Sequence, residues 1–240
     1  MIKKLLCIAI LLLLTACSEE SVIVKKESTS EDAATDPEIV EQQNSNKKET
    51  DKFIEFALPD EQVMINLEMV PILNVFLQTA ANKDKAIAKM DLTRINVDSK
   101  SVYLLEFSCH NKLCSYLLLD QSQKNQAFLV ADMAQSEQVQ LSPDNSKIML
   151  HFNRKLSFPV PLSDIVVIDL DNWKPLKLKN VAAEEKLLDF RWPLISSFWV
   201  DNNTIEVFKP DLPKVTTSNI ANWQKSNMPI NKIQFDTLKK

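Results

Sequence analysis

Apolar residues fall into distinct regimes along the chain. Residues 5–14 form an unbroken apolar run, preceded by Lys3 and Lys4 and followed by Thr15, Ala16 and Cys17. A run this short cannot cross about 30 Å of hydrocarbon, so it reads as a secretory signal and not as a membrane helix. Residues 18–52 are polar and acidic, too poor in apolar groups to offset the entropy of ordering. They read as a flexible linker with a coil reach of roughly 30–35 Å. The next stretch looks helical: Asp60-Glu61 suit a helix start and Pro71 suits a first turn. Ile72, Val75, Phe76 and Thr79 recur at helical spacing, which predicts a helix over about 71–81.

From Val97 onward the pattern changes to short β-rich runs separated by turn residues. The candidate strands are 102–108, 113–119, 127–131, 147–152, 165–170, 197–200, 204–208 and 230–235. Short strands in close succession imply antiparallel pairing. A repeat runs through them. Asp98-Ser99-Lys100-Ser101-Val102-Tyr103-Leu104 aligns with Asp144-Asn145-Ser146-Lys147-Ile148-Met149-Leu150, and both align with Asp201-Asn202-Asn203-Thr204-Ile205-Glu206-Val207. Each copy is an aspartate, three small or polar residues (one of them lysine in two copies), then an apolar-x-apolar strand. The intervals, 46 and 57 residues, are near a propeller-blade period, the second longer by an insertion.

Two resemblances follow. Leu14-Thr15-Ala16-Cys17 resembles the lipobox of bacterial lipoproteins. That resemblance implies cleavage before Cys17, acylation of its sulfur and a stable lipid anchor. With Ser18 next, it implies an outer-membrane protein facing the periplasm in a Gram-negative host, or the outer face of the cell membrane otherwise. Leu141-Ser142-Pro143-Asp144-Asn145-Ser146-Lys147-Ile148 and Ile165-Val166-Val167-Ile168-Asp169-Leu170-Asp171-Asn172-Trp173-Lys174 resemble the β-propeller repeats of periplasmic proteins of the Tol-dependent type. The expected fold is therefore mainly β: an antiparallel meander with propeller-blade-like repeats and a short N-terminal helix. A β-sandwich or open barrel is the alternative. The expected segments are a signal peptide at 1–16, a lipidated cysteine and acidic linker at 17–52, and a β-rich domain at 53–240.

Composition narrows the function. The 240 residues contain no glycine, which excludes the P-loop, the dinucleotide-binding fingerprint, the nucleophile elbow and the EF-hand loop. Net charge is −4. Residues 18–52 contribute −5, ten acids opposing five lysines, and Lys3 and Lys4 offset part of it. The body is nearly neutral, and no nucleic-acid partner is implied.

Once Cys7 leaves with the signal and Cys17 is lipidated, Cys109 and Cys114 are the remaining thiols. A polar turn separates them, and an extracytoplasmic compartment favours a disulfide. Two free thiols, or a redox or metal-binding pair, are the alternatives. The spacing is not that of thioredoxin-like motifs, and one His with two Cys falls short of a zinc set.

His151 lies opposite the core-facing register of Ile148, Leu150 and Phe152, and reads as a surface or second-layer residue. Asp169-x-Asp171-Asn172 reads as turn chemistry. Trp173, Trp192, Trp199 and Trp223 could stack on sugars or peptides if exposed. No metal, cofactor or catalytic set is read. The expected function is a lipid-anchored, non-enzymatic binding or interaction module of the cell envelope, contacting another envelope protein. The alternatives are an envelope hydrolase using His151 and isolated acids, or a glycan- or peptide-binding lipoprotein. The missing glycine predicts that Asn111, Asn145, Asn172, Asn202 and Asn203 carry the positive-φ turns.

Overall fold

The computed structural model describes residues 23–25, 52–98, 100–120, 126–181 and 186–238. The signal segment and Cys17 lie outside them, as does most of the segment read as a linker. Within that segment Ile23–Lys25 form a strand, β1, which corrects the expectation of an unstructured 17–52 at this point. It pairs with β3 (Gln62–Asn66), which pairs in turn with β2 (Phe53–Ala57). Two apolar residues in β1, Ile23 and Val24, suit strand geometry.

Asp60-Glu61 begin no helix. They sit at the β2–β3 turn, where Leu58 N donates to Glu61 O. Glu61 Oε1 accepts from Arg94 Nη1 and from the Tyr103 hydroxyl, each at 3.0 Å. The expected helix is present as α1 (Pro71–Thr79), with Pro71 in its first turn and Leu73 and Leu77 buried. A short helix, α2 (Lys83–Ile87), follows, capped by the Asn82 side chain on Lys85 N. The third helix among the described residues, α3 (Thr217–Lys225), is capped by Thr216 on Asn219 N.

The body is mainly β, as expected. Ten strands make one antiparallel sheet that does not close on itself. They are β4 (Asp91–Val97), β5 (Lys100–His110), β6 (Leu113–Asp120), β7 (Ala127–Leu141) and β8 (Lys147–Arg154), then β9 (Leu162–Asp169), β10 (Lys174–Asn180), β11 (Ser196–Trp199), β12 (Thr204–Pro210) and β13 (Ile230–Leu238). All eight candidate strands are present. β2, β3, β4 and β10 were not anticipated.

Two strands change partners along their length. The first half of β7 pairs with β6 as far as Ala134, and the second half pairs with β8 from Gln135. Likewise β10 pairs with β9 through Leu176 and with β13 from Lys177. The sheet therefore divides into three four-stranded units, β4-β5-β6-β7, β7-β8-β9-β10 and β11-β12-β13-β10. The three copies of the sequence repeat fall on the hairpin between the first two strands of each unit: β4–β5, β7–β8 and β11–β12.

The units stack face to face. One face of the first unit packs on β2, β3 and α1 through Tyr103, Leu105 and Leu117. Its other face packs on the second unit, Leu104, Tyr116 and Leu118 against Ile148, Leu150 and Phe152. The second unit's far face meets the third unit and α3, Met149, Ile165 and Val167 against Ile205, Val207 and Ile220. Both faces of the inner strands are thus covered, so seven of eight positions in both β6 and β8 are buried. A strand covered on both sides reads as an apolar run and loses its alternation.

The corner that lets β7 leave one unit for the next lies at Met133, whose φ is +47°. Arg154 holds it: Nε donates to Met133 O at 3.1 Å and Nη2 donates to Asp132 O. The same guanidinium lies 3.8 Å over the Phe190 ring.

Among the described residues positive φ occurs at ten, none of them glycine. Asn111 and Asn145 are among them, as expected. Asn172, Asn202 and Asn203 are not. At the first turn the neighbouring Trp173 takes φ +48° while Asn172 hydrogen-bonds Asp169. At the other turn Asp201 Oδ1 accepts from the Asn203 and Thr204 amides, so no left-handed residue is needed. The β5–β6 turn has both central residues left-handed, Asn111 at +50° and Lys112 at +67°, the geometry that matches strand twist.

Left-handed lysines at exposed turns carry a cost that glycine lacks. Lys112→Gly and Lys155→Gly are each expected to raise unfolding free energy by about 0.5–1 kcal/mol. Urea denaturation reads this directly; unchanged or lowered midpoints would contradict the strain argument.

Candidate functional site

A cleft opens in the sheet where β10 leaves β9. Val167 is the last β9 residue before the split, opposite Leu176. Backbone groups of successive strand residues face opposite ways. Val181 N donates to Gln234 O, so odd-numbered residues of this stretch face β13. Leu178 therefore turns its backbone to the side β9 has left. Among the described residues no strand pairs with it there.

The resulting cleft holds about 700 Å³. Ile165, Val167, Leu176, Leu178, Leu187 and Phe235 give it an apolar floor, and Lys177, Lys179 and Lys186 are exposed at its rim. Asp164 and Asp189 stand at one end. Asp164 Oδ1 accepts from the amides of Asp189 and Ile165, both at 2.9 Å, tying the 186–192 segment to the edge of β9. Ser163 continues that tie: its amide donates to Trp192 O and its carbonyl accepts from Phe190 N. Burial pushes the Asp164 carboxyl above its usual range, against the pull of the two amides.

No Ser, Thr, Cys, His or Tyr lines this cleft among the described residues. It presents an apolar trough, a β10 edge that no described strand pairs at Leu178, and three cations. The volume lies within the range of ligand pockets.

The residues singled out from sequence lie elsewhere. The four tryptophans offered as a stacking surface are core residues, which corrects that expectation. Trp173, Trp192, Trp199 and Trp223 are 3–8% exposed. Trp223 Nε1 donates to Pro229 O and Trp199 Nε1 to Gln140 O, while Lys209 Nζ lies 3.7 Å over the Trp192 ring. Large aromatics fill the wide gaps between stacked sheets, and none of them lines the cleft. Cys109 and Cys114 are paired in a disulfide across the β5–β6 hairpin, with Cα atoms 4.0 Å apart. Cys17 lies outside the described residues.

His151 faces away from Phe152, as the register implies. That face is the interface with the third unit, so the ring is 1% exposed. Its Nδ1 lies 3.2 Å from the Ser197 hydroxyl, itself buried. Nε2 has no hydrogen-bond partner. A serine beside a histidine suggests hydrolase chemistry, but both are sealed between layers away from the cleft. The hydrolase reading through His151 therefore has no route to substrate in this structure.

Asp169 spends its carboxylate on its own turn. Oδ1 accepts from the amides of Asp171 and Asn172, and Oδ2 from Asn172 Nδ2. Asp144 does the same with Ser142 and Ser146. Burial would raise the Asp144 carboxyl, but those hydrogen bonds and Lys147 outweigh it and hold it at about 2.

The fold is that of a layered antiparallel β protein with a lateral apolar cleft. Comparison with known families finds no family model that matches the chain, and comparison with curated proteins finds no match. No helix among the described residues is long and apolar enough to cross a membrane.

The cleft was missed because β10 was missed. Its alternation of Lys174, Leu176, Lys177, Leu178 and Lys179 is a half-buried strand signal, obscured by Pro175.

Burial holds His151 down at about 4, against about 6.5 for a free imidazole. The folded state thus binds fewer protons than the unfolded state between these values, so stability falls as pH drops from about 6.5 towards 4. The loss is on the order of 2–3 kcal/mol. His151→Gln is expected to flatten urea-derived stability across that window, while Asp144 governs a separate, more acidic one. An identical slope in both proteins would show that His151 is not the titrating group.

Proposed function

We propose that the chain is a lipid-anchored, non-enzymatic binding module of the cell envelope, held by Cys17 and joined to its β-rich body through the acidic segment 17–52. In a Gram-negative host it faces the periplasm from the outer membrane; otherwise it sits on the outer face of the cell membrane. The lipobox supports the anchor. The observation that carries the binding role is the cleft beside β10. It combines a strand edge open at Leu178, an apolar trough and three lysines. That combination suits an extended, acid-bearing segment of another envelope protein, which would add as a strand to β10. Backbone hydrogen bonds would supply affinity, and the rim lysines would select acidic side chains.

The three units are read as blade-like. Each has four antiparallel strands, consecutive units pack face to face, and the repeated aspartate turn recurs at the same hairpin in each. The third departs from blade order because its fourth strand is borrowed from β10. That borrowing opens the cleft, so the departure from the blade pattern and the binding role have one physical origin. No cofactor or metal is required.

Two measurements test the reading. Cys17→Ser should abolish incorporation of labelled palmitate and release the protein from membranes; labelling that survives would remove the anchor. A blocked extended peptide alternating Glu and Val should bind the full chain in a salt-sensitive manner. The double substitution Lys177→Glu/Lys179→Glu should weaken it about tenfold or more, and a peptide alternating Lys and Val should not compete. Equal binding of both peptides, or no effect of the charge reversal, would reject the cleft as the site.

A further inference from the structure

The first unit carries a disulfide at the tip of the β5–β6 hairpin. The ladder there is regular to Phe107↔Ser115, then resumes at His110↔Leu113. Ser108 and Cys109 therefore stand opposite the single residue Cys114. This bulge, with Ser108 at φ +54°, turns Cys109 towards Cys114 and closes the disulfide across the hairpin. The two sulfurs are in unequal settings: Cys109 is exposed, and Cys114 is 3% exposed.

A carboxylate reaches both of them. Glu106 Oε1 lies 3.3 Å from Cys109 Sγ and 3.1 Å from Cys114 Sγ. Glu106 also lines a cavity of about 370 Å³ with Arg94, Leu104, Tyr116 and Ser136. A structural disulfide needs no such neighbour. Closed, the sulfurs have no proton to offer the carboxylate; reduced, each thiol could donate to it at these distances. The contact thus favours the dithiol over the disulfide.

We infer that Cys109–Cys114 is a redox-active disulfide that exchanges with an external dithiol, with Glu106 carrying the proton. Glu106 accepts the proton of the incoming thiol. The resulting thiolate attacks the exposed Cys109 Sγ, forming a mixed disulfide. The Cys109–Cys114 bond breaks, its electron pair goes to Cys114 Sγ, and Glu106 returns the proton there. The second thiol of the donor, once deprotonated, attacks the donor's own sulfur in the mixed disulfide, and Cys109 leaves as a thiolate that takes up a proton. The donor loses two electrons and two protons and becomes a disulfide; the protein gains them and becomes a dithiol. Cys109 is the attacked sulfur because it is exposed, and Cys114 is the leaving sulfur because it is buried against the acid.

The experiment uses the full chain in detergent, folded throughout by circular dichroism, with dithiothreitol as the dithiol. Samples are quenched with iodoacetamide, and alkylated cysteines are counted by mass. The native protein should be reduced without denaturant. Glu106→Gln keeps the side-chain shape but cannot carry a proton. It should slow reduction about tenfold or more, and its pH profile should collapse to that of the dithiothreitol thiolate alone. Glu106→Asp should recover part of the rate. A reduced-to-oxidised dithiothreitol series should show the Gln variant holding its disulfide at more reducing ratios than wild type. Equal rates and pH profiles in wild type and Glu106→Gln would overturn the inference. So would a disulfide that is reduced only when the chain unfolds. If the Gln variant does not fold, the Asp variant decides: a rate and profile identical to wild type count against Glu106 as the carrier, and a partial loss counts for it.

Discussion

The change of partner in β7 is the constraint on which the rest depends. A single sheet of this many strands would leave one broad face to water. By turning at Met133, β7 carries the chain out of the first unit and begins the second, which then lies against the face of the first. Arg154 makes the turn stable by binding the carbonyls of Asp132 and Met133, groups that a bent strand cannot pair in the ladder. Arginine suits this position because its planar fork serves two acceptors while its face rests on Phe190.

Stacking has consequences for polar residues. Inner strands have no outward face, so polar side chains on β8 must find partners inside. Asn153 meets Glu137 and Ser163, and His151 meets Ser197. His151 is only half satisfied, and its imidazole is held neutral by burial. Part of the pH dependence of stability therefore arises at a layer interface, through His151, and part at a hydrogen-bonded turn carboxylate, Asp144.

The second change of partner, in β10, has the opposite effect. At β7 the departing strand is received by a new neighbour and the gap is filled. At β10 the strand is captured by β13, and the edge of β9 is left to the 186–192 segment, which ties down only its far end. What remains is the cleft. Two of its three lysines, Lys177 and Lys179, come from the outward positions of a half-exposed strand, and Lys186 comes from the segment that follows; the split converts them into a rim around an apolar trough.

The strands with continuous apolar runs, β5, β6, β8 and β9, were legible in the sequence because apolar content and β-branching mark them whatever they pack against. The repeat was legible too, since three aspartate turns recur at the same hairpin. β2, β3 and α1's surroundings were misread because Asp60-Glu61 serve a hairpin turn as well as they would a helix start. The tryptophans were left between core and stacking surface because sequence gives the type of a residue and not the width of the gap it must fill. Of the five asparagines expected at positive φ, Asn111 and Asn145 take it, whereas at the other two turns a tryptophan takes it or no residue does. By itself, then, the sequence determined the β class and the repeated hairpins, and it favoured a disulfide between Cys109 and Cys114 over two free thiols. Only the tertiary structure decided which strands divide between two neighbours, and hence that two faces are buried, that His151 is sealed and that a cleft opens at Leu178. Strand identity is a local property of side chains, whereas the partner a strand takes depends on edges contributed by residues far away in the chain.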